Sequence, residues 1–172
     1  LLFVAFSHAR RRVLPFCSRT WQKFVPMNIN IYRRNLPHWR LEGATYFITW
    51  RLQRNQPPLR PEERTLVQTA ILHFDGVRYD ISAFVVMDDH IHVLLKPEPG
   101  WELKSITHSW KSFTANQIQR KYHRKGGIWQ KECFDRIIRN EKEYLKQGNY
   151  ILGNPFVRWP ELEEYSWVGI GR

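Results

Sequence analysis

Cysteine is nearly absent from this chain of 172 residues, which has two, Cys17 and Cys133. That excludes a disulfide-stapled scaffold and a cysteine-rich zinc module. Long apolar runs are missing too. The opening stretch 1–6 is far too short to span a bilayer, and nothing later approaches that length. The basic triplet Arg10–Arg12 follows this stretch, the reverse of a secretory signal. Acidic side chains are absent from residues 1–41, which carry 8 Lys and Arg. No repeat or low-complexity linker follows residue 27, so a second domain is not expected. What is abundant is aromatic side chain, 15% of residues with 8 Trp, together with a formal net charge of +11. That pairing excludes global disorder and suits a nucleic-acid partner, because phosphates attract cations and bases stack on rings. Residues 1–26 precede the first methionine and show no apolar periodicity. They read as a flexible basic extension, with residues 27–172 forming one domain.

The pattern along that domain alternates. Residues 44–52 (ATYFITWRL) are aromatic and β-branched and predict a strand. Pro61, Glu62 and Glu63 mark a helix start, and Leu66, Ala70 and Phe74 continue at helical spacing until Asp75–Gly76. Residues 77–87 and 90–96 predict two strands joined by a tight turn at Asp88–Asp89. A helix over 101–123 has Leu103, Ile106, Trp110, Phe113 and Ile118 on its apolar face, and Gly126–Gly127 break it. Residues 128–138 predict a strand. Asn140 with Glu143 resembles a capping box that opens a last helix toward Asn154, where Pro155 is expected to stop it. The order β-α-β-β-α-β-α predicts an α+β fold. It is a ferredoxin-like βαββαβ antiparallel sheet with an added C-terminal helix.

Two features carry chemistry. His90 and His92 flank Ile91 in a predicted strand, so both imidazoles project from one face. Paired imidazoles are a metal-ligand arrangement, although an isolated H-x-H is more often a pair of packed or exposed histidines. The surrounding strand is apolar, from Val85–Val86 to Val93–Leu95, so two polar rings there call for a reason. Tyr150 and Asn154 stand four apart on the last helix and differ by only about 40° around its axis. A phenol next to a metal-binding amide would be a nucleophile beside its activator. The plain alternative is a core tyrosine and a helix-capping asparagine. Tyr144 lies about 120° away from Tyr150 and cannot share the face of Asn154. Residues 111–142 carry 9 basic and 3 acidic residues. Lys111, Arg120, Lys121, Arg124 and Lys125 are therefore read as a surface for DNA phosphates, the alternative being a solvated helix end. Trp110 and Trp129 are expected in the core rather than stacked on bases.

The ordered set of motifs is specific. VVMDDHIHVLLKP over 85–97, KSFTAN over 111–116, IWQKECFDRIIR over 128–139 and NYILGNP over 149–155 resemble REP-associated tyrosine transposases. LPH over 36–38 and residues 44–52 fit as well, so the resemblance covers about Arg33 to Trp167. These proteins are a branch of the single-tyrosine HUH transposases and carry the HUH endonuclease fold.

The resemblance implies a DNA nickase and strand transferase. His90, His92 and Asn154 would hold Mg²⁺ or Mn²⁺, although the ligand chemistry also allows zinc. Tyr150 would form a 5′-phosphotyrosine on single-stranded DNA folded as an imperfect palindromic hairpin. The resemblance further implies a monomer in a bacterial cytoplasm, associated with the nucleoid and not with a membrane. Two residues depart from the pattern. Gly153 replaces a residue that is usually not glycine, and Gly148 costs the helix about 1 kcal/mol relative to alanine. They are the whole support for the runner-up, a hairpin-binding protein of the same fold with impaired catalysis. A metal-dependent hydrolase using Asp88 or Asp89 as base is a third possibility, but it leaves Tyr150 and Asn154 without a role.

Overall fold

A computed structural model describes residues 30–33, 37–41 and 43–171. The extension expected over residues 1–26 lies outside the described residues. Two short strands, β1 (Asn30–Arg33) and β2 (Pro37–Arg40), pair with each other ahead of the main sheet. The elements that follow are β3 (Tyr46–Arg51), α1 (Pro61–Leu72), β4 (Tyr79–Val86), β5 (His90–Pro97), α2 (Leu103–Tyr122), β6 (Phe134–Ile137), α3 (Glu141–Arg158) and β7 (Val168–Gly169). The main sheet has the order β6-β3-β5-β4-β7, with every pairing antiparallel. From β3 to β6 this is the expected βαββαβ arrangement, and β7 adds an edge strand.

Strand alternation divides the core between the two faces of the sheet. On one face Ile48, Trp50, Phe84, Val86, Ile91 and Val93 pack with α1 and α2. Both expected core tryptophans are there, with Trp110 stacked 5.8 Å from Trp50 and Trp129 set edge-on to it. Trp110 Nε1 donates to Tyr79 Oη at 2.9 Å, and Tyr79 Oη donates to the Ile71 carbonyl at 2.8 Å, which ties α2, β4 and α1 together. The other face buries Phe47, Ala83, Val85, Met87 and Leu94 beneath Tyr144 and Ile151 of α3. The added helix thus covers the side of the sheet that α1 and α2 leave open. No described helix is long and apolar enough to cross a membrane.

Four expectations need correcting. Pro155 does not stop the last helix, which runs on to Arg158 with Pro155 inside it. Proline removes one helical hydrogen bond, but Pro155 is buried, and its own carbonyl accepts from Trp159 N at 2.8 Å. The strand expected over 128–138 forms only at 134–137. Gln130 N still donates to the Arg51 carbonyl at 2.9 Å, but Phe134 pairs with Thr49, so two extra residues bulge between them. Helix α2 ends at Tyr122, before the glycine pair, and His123 caps it in the left-handed region at φ 55°. Phe113 lies just outside the buried arc of α2 and is 52% exposed, whereas Thr114 points inward and accepts a hydrogen bond from Trp129 Nε1 at 2.9 Å.

Candidate active site

The hairpin of β4 and β5 closes over Asp88 and Asp89, where Met87 N donates to the His90 carbonyl at 2.8 Å. This tight turn fixes the register, so His90 and His92 emerge on the face covered by α3. Their ring centroids are 4.7 Å apart, and they are only 7% and 5% exposed. His90 Nδ1 lies 2.6 Å from Asp89 Oδ1. Because an ionised carboxylate only accepts, that bond places a proton on Nδ1 and fixes the orientation of the ring. His92 Nδ1 lies 2.6 Å from Thr49 Oγ1, its cross-strand partner on β3.

Burial pushes the His92 imidazole down to about 3, helped by the charges of His90 and Arg51 and opposed by Asp89. The ring is therefore neutral near pH 7, the form that ligates metals. Burial alone would raise the Asp89 carboxyl. The hydrogen bond and charge of His90, together with Arg158 and Arg51, outweigh it and hold Asp89 below its ordinary value.

Helix α3 supplies the phenol. Asn140 Oδ1 accepts from Glu143 N at 2.9 Å, while the Glu143 carboxylate accepts from Arg139 N at 2.9 Å, so the expected N-terminal cap is present. At the far end Arg158 Nη2 donates to Asp88 Oδ2 at 2.9 Å, which fastens the helix to the β4–β5 turn. Between these anchors Tyr150 Oη comes within 3.5 Å of His92 Nε2. The Tyr150 ring sits edge-on to His92 and to Phe47, and 49% of the residue remains open to solvent. Tyr144 is buried beneath the same helix, out of reach of a phosphate. Tyr165 Oη is committed to the Val86 carbonyl at 2.8 Å. Gly148 is buried under α3, and a side chain at Gly153 would meet nothing within 4 Å, so the helix runs unbroken through both.

Asn154 lies one turn beyond Tyr150, partly buried, and hydrogen-bonds to neither histidine. Among the described residues no three His, Cys, Asp or Glu side chains converge on a metal position. The donors that the structure brings together are the two imidazoles, with the Asn154 amide one turn beyond Tyr150 on α3. The chemistry of that set fits a divalent cation: both rings are buried, both are oriented by a hydrogen bond on Nδ1, and His92 is held neutral. Sequence reasoning missed Thr49 and Arg158. Alternation would place Thr49 on the face of Phe47, but only the cross-strand register sets it against His92.

The five basic residues read as a DNA surface divide. Arg120, Lys121 and Lys125 are exposed at the end of α2. Arg124 is not available to DNA. Its guanidinium donates to both carboxylate oxygens of Glu63, at 2.7 and 2.5 Å, and to the carbonyls of Pro57 and Pro58. Lys111 is likewise occupied, donating to the carbonyls of Gln130 and Lys131 at 2.7 and 2.9 Å, and burial pushes its ammonium below the ordinary range. Those two carbonyls belong to the bulge, so Lys111 also accounts for the shortened β6. Arg124→Ala would leave the fully buried Glu63 carboxylate unpaired, at a cost of about 3–5 kcal/mol. A melting temperature lower by about 10 °C or more is expected. Weaker DNA binding at an unchanged melting temperature would return Arg124 to the DNA surface.

The Transposase IS200-like family model matches residues 43–151, a span that includes His90, His92 and Tyr150 and ends before Asn154. A REP-associated tyrosine transposase of Escherichia coli (strain K12) is 27% identical over 141 residues, which cover 80% of this chain and 74% of that protein. A solved structure of a REP-associated tyrosine transposase bound to a REP hairpin superposes with a TM-score of 0.62 at 26% identity, covering 80% of each chain.

Proposed function

Because the chain belongs to the Transposase IS200-like family, we propose that it nicks and rejoins single-stranded DNA at folded palindromes, using Tyr150 as nucleophile. The transposase class and the HUH fold expected from the sequence are upheld, as is the resemblance to the REP-associated branch. The substrate proposed is a hairpin of the kind held by the solved relative. One observation carries the reading: a half-exposed phenol lies 3.5 Å from a buried, oriented imidazole that is paired with a second one.

In this reading His90, His92 and Asn154 hold Mg²⁺ or Mn²⁺. The chemistry such a cation supplies is polarisation of the scissile phosphate and offset of the charge that develops on its oxygens. Asp89 and Thr49 keep the imidazoles turned toward that phosphate. Phe47 and His92 pack around the Tyr150 ring and limit its rotation, so little orientational freedom is lost at the moment of attack. Tyr150 Oη bonds to phosphorus as the P–O3′ bond breaks. The phenolic proton passes to water, and the departing 3′ oxygen takes one up. A 5′-phosphotyrosine and a free 3′-OH result. Attack by another 3′-OH reverses the step and needs no external energy source. Arg120, Lys121 and Lys125 meet hairpin phosphates.

The test is incubation with single-stranded DNA folded as imperfect palindromic hairpins, with and without EDTA. Cleavage that needs Mg²⁺ or Mn²⁺ and spares perfect duplex is expected. Equal cleavage in EDTA would remove the metal role.

A further inference from the structure

The stretch of α3 that follows Tyr150 is poor helix material. Gly153 and Pro155 are the two residue types least suited to a helix interior, and Gly148 stands just ahead of the phenol. Pro155 has no N–H to give to the carbonyl four residues back, that of Ile151, the residue next to Tyr150. Among residues 152–158 only Pro155 is buried, and Val157 is 82% exposed. Local propensity therefore predicts fraying beside the phenol, yet the helix runs unbroken to Arg158.

What holds that end is Arg158. Its guanidinium lies across the β4–β5 turn and meets both acids there: Nη2 donates to Asp88 Oδ2 at 2.9 Å, and Nη1 stands 3.7 Å from Asp89 Oδ1. The same Asp89 oxygen lies 2.6 Å from His90 Nδ1. The turn is a firm anchor. The Asp88 and Asp89 carbonyls accept from Leu59 N at 2.6 Å and Leu52 N at 2.9 Å. At the base of the turn Val86 N donates to the Trp167 carbonyl at 2.8 Å, and the Val86 carbonyl accepts from Tyr165 Oη. One cation thus joins the weak end of the helix that carries Tyr150 to the carboxylate that turns His90.

We propose that Arg158 is a positioning residue for strand cleavage: by gripping Asp88 and Asp89 it keeps the end of α3 wound and holds the Tyr150 phenol in register with the His90–His92 pair. The proposal rests on the strand-cleavage reading for its reaction. A misplacement of about 1 Å can slow a reaction about a hundredfold, so the grip matters more to rate than to stability. The Arg158 side chain is 43% exposed, and ion pairs that open contribute little to folding.

Variants of the full chain test it on a labelled, imperfectly palindromic hairpin at saturation. Arg158→Ala is expected to lower the single-turnover cleavage rate about tenfold or more. Hairpin affinity should stay within about twofold, and the melting temperature within about 3 °C. Arg158→Lys keeps a cation within reach of Asp88 and should recover most of the rate. Asp88→Asn should slow cleavage in the same direction, and adding it to Arg158→Ala should slow it no further, because both remove one contact. A second readout needs neither metal nor DNA. With 3-fluorotyrosine at the seven tyrosines, the Tyr150 fluorine signal is assigned by its loss in Tyr150→Phe, and it senses the edge-on rings of Phe47 and His92. In Arg158→Ala it should move toward the position of free 3-fluorotyrosine, and Arg158→Lys should bring it back. An unmoved signal or an unchanged rate in Arg158→Ala would overturn the proposal. So would slower cleavage with weakened hairpin binding and an unmoved signal, which would make Arg158 a contact to DNA. A collapse of the melting temperature that Arg158→Lys does not reverse would make it a residue of the fold instead. A signal that moves in Arg158→Ala while the unaltered chain cleaves no hairpin refutes the cleavage reading and leaves the grip on Tyr150 standing.

Discussion

His92→Ala is expected to lower strand cleavage by about a hundredfold or more while leaving hairpin affinity within about threefold. The two effects separate because the imidazole serves one phosphate, whereas affinity comes from contacts spread along the DNA. His90→Ala should behave alike, since His90 is the other imidazole of the pair and is turned by Asp89 as His92 is by Thr49. His92 is stacked on Phe47, so its removal opens a gap in the face beneath α3. His90 is not stacked on Phe47 and gives the cleaner variant. If binding, melting temperature and cleavage all collapse together in His90→Ala, the histidines belong to the core and not to catalysis.

The second large effect is at Tyr150. Tyr150→Phe keeps the ring that meets Phe47 and His92 edge-on and removes only a hydroxyl whose one hydrogen-bond partner among the described residues is His92 Nε2 at 3.5 Å. Stability should stay within about 0.5 kcal/mol, and hairpin binding should be unchanged. Cleavage should fall to background, because no other described tyrosine near the pair offers a free hydroxyl: Tyr144 is buried and Tyr165 Oη is bonded to the Val86 carbonyl. Undiminished cleavage in Tyr150→Phe would reject the nucleophile and favour a hydrolase in which water attacks.

The parts of this site that the sequence made legible are local ones. The spacing of His90 and His92 sets their shared face through strand alternation, and the helical repeat carries Tyr150 on the last helix. The cap at Asn140 and the Asp88–Asp89 turn are short-range chemistry as well. What stayed hidden depends on residues far apart in the chain. Thr49 meets His92 across 43 positions, and Arg124 meets Glu63 across 61. Basic residues in one charged run look alike until burial assigns Lys111 to backbone carbonyls and leaves Lys125 in solvent. The same reason accounts for Pro155: a local rule ends the helix there, and tertiary burial overrides it. Periodicity shows that α3 has an apolar face, but only the packing shows that it covers the side of the sheet where the histidines emerge.

The central claim is that Tyr150 becomes covalently joined to the 5′ end of a cut strand. The most direct measurement incubates a labelled hairpin with the full chain and Mg²⁺ or Mn²⁺, denatures the mixture, digests it with protease and identifies the DNA-linked peptide by mass spectrometry. The account predicts one adduct, on Tyr150, missing from Tyr150→Phe. An adduct on Tyr144 or Tyr165, or cut DNA with no linked peptide, would contradict it.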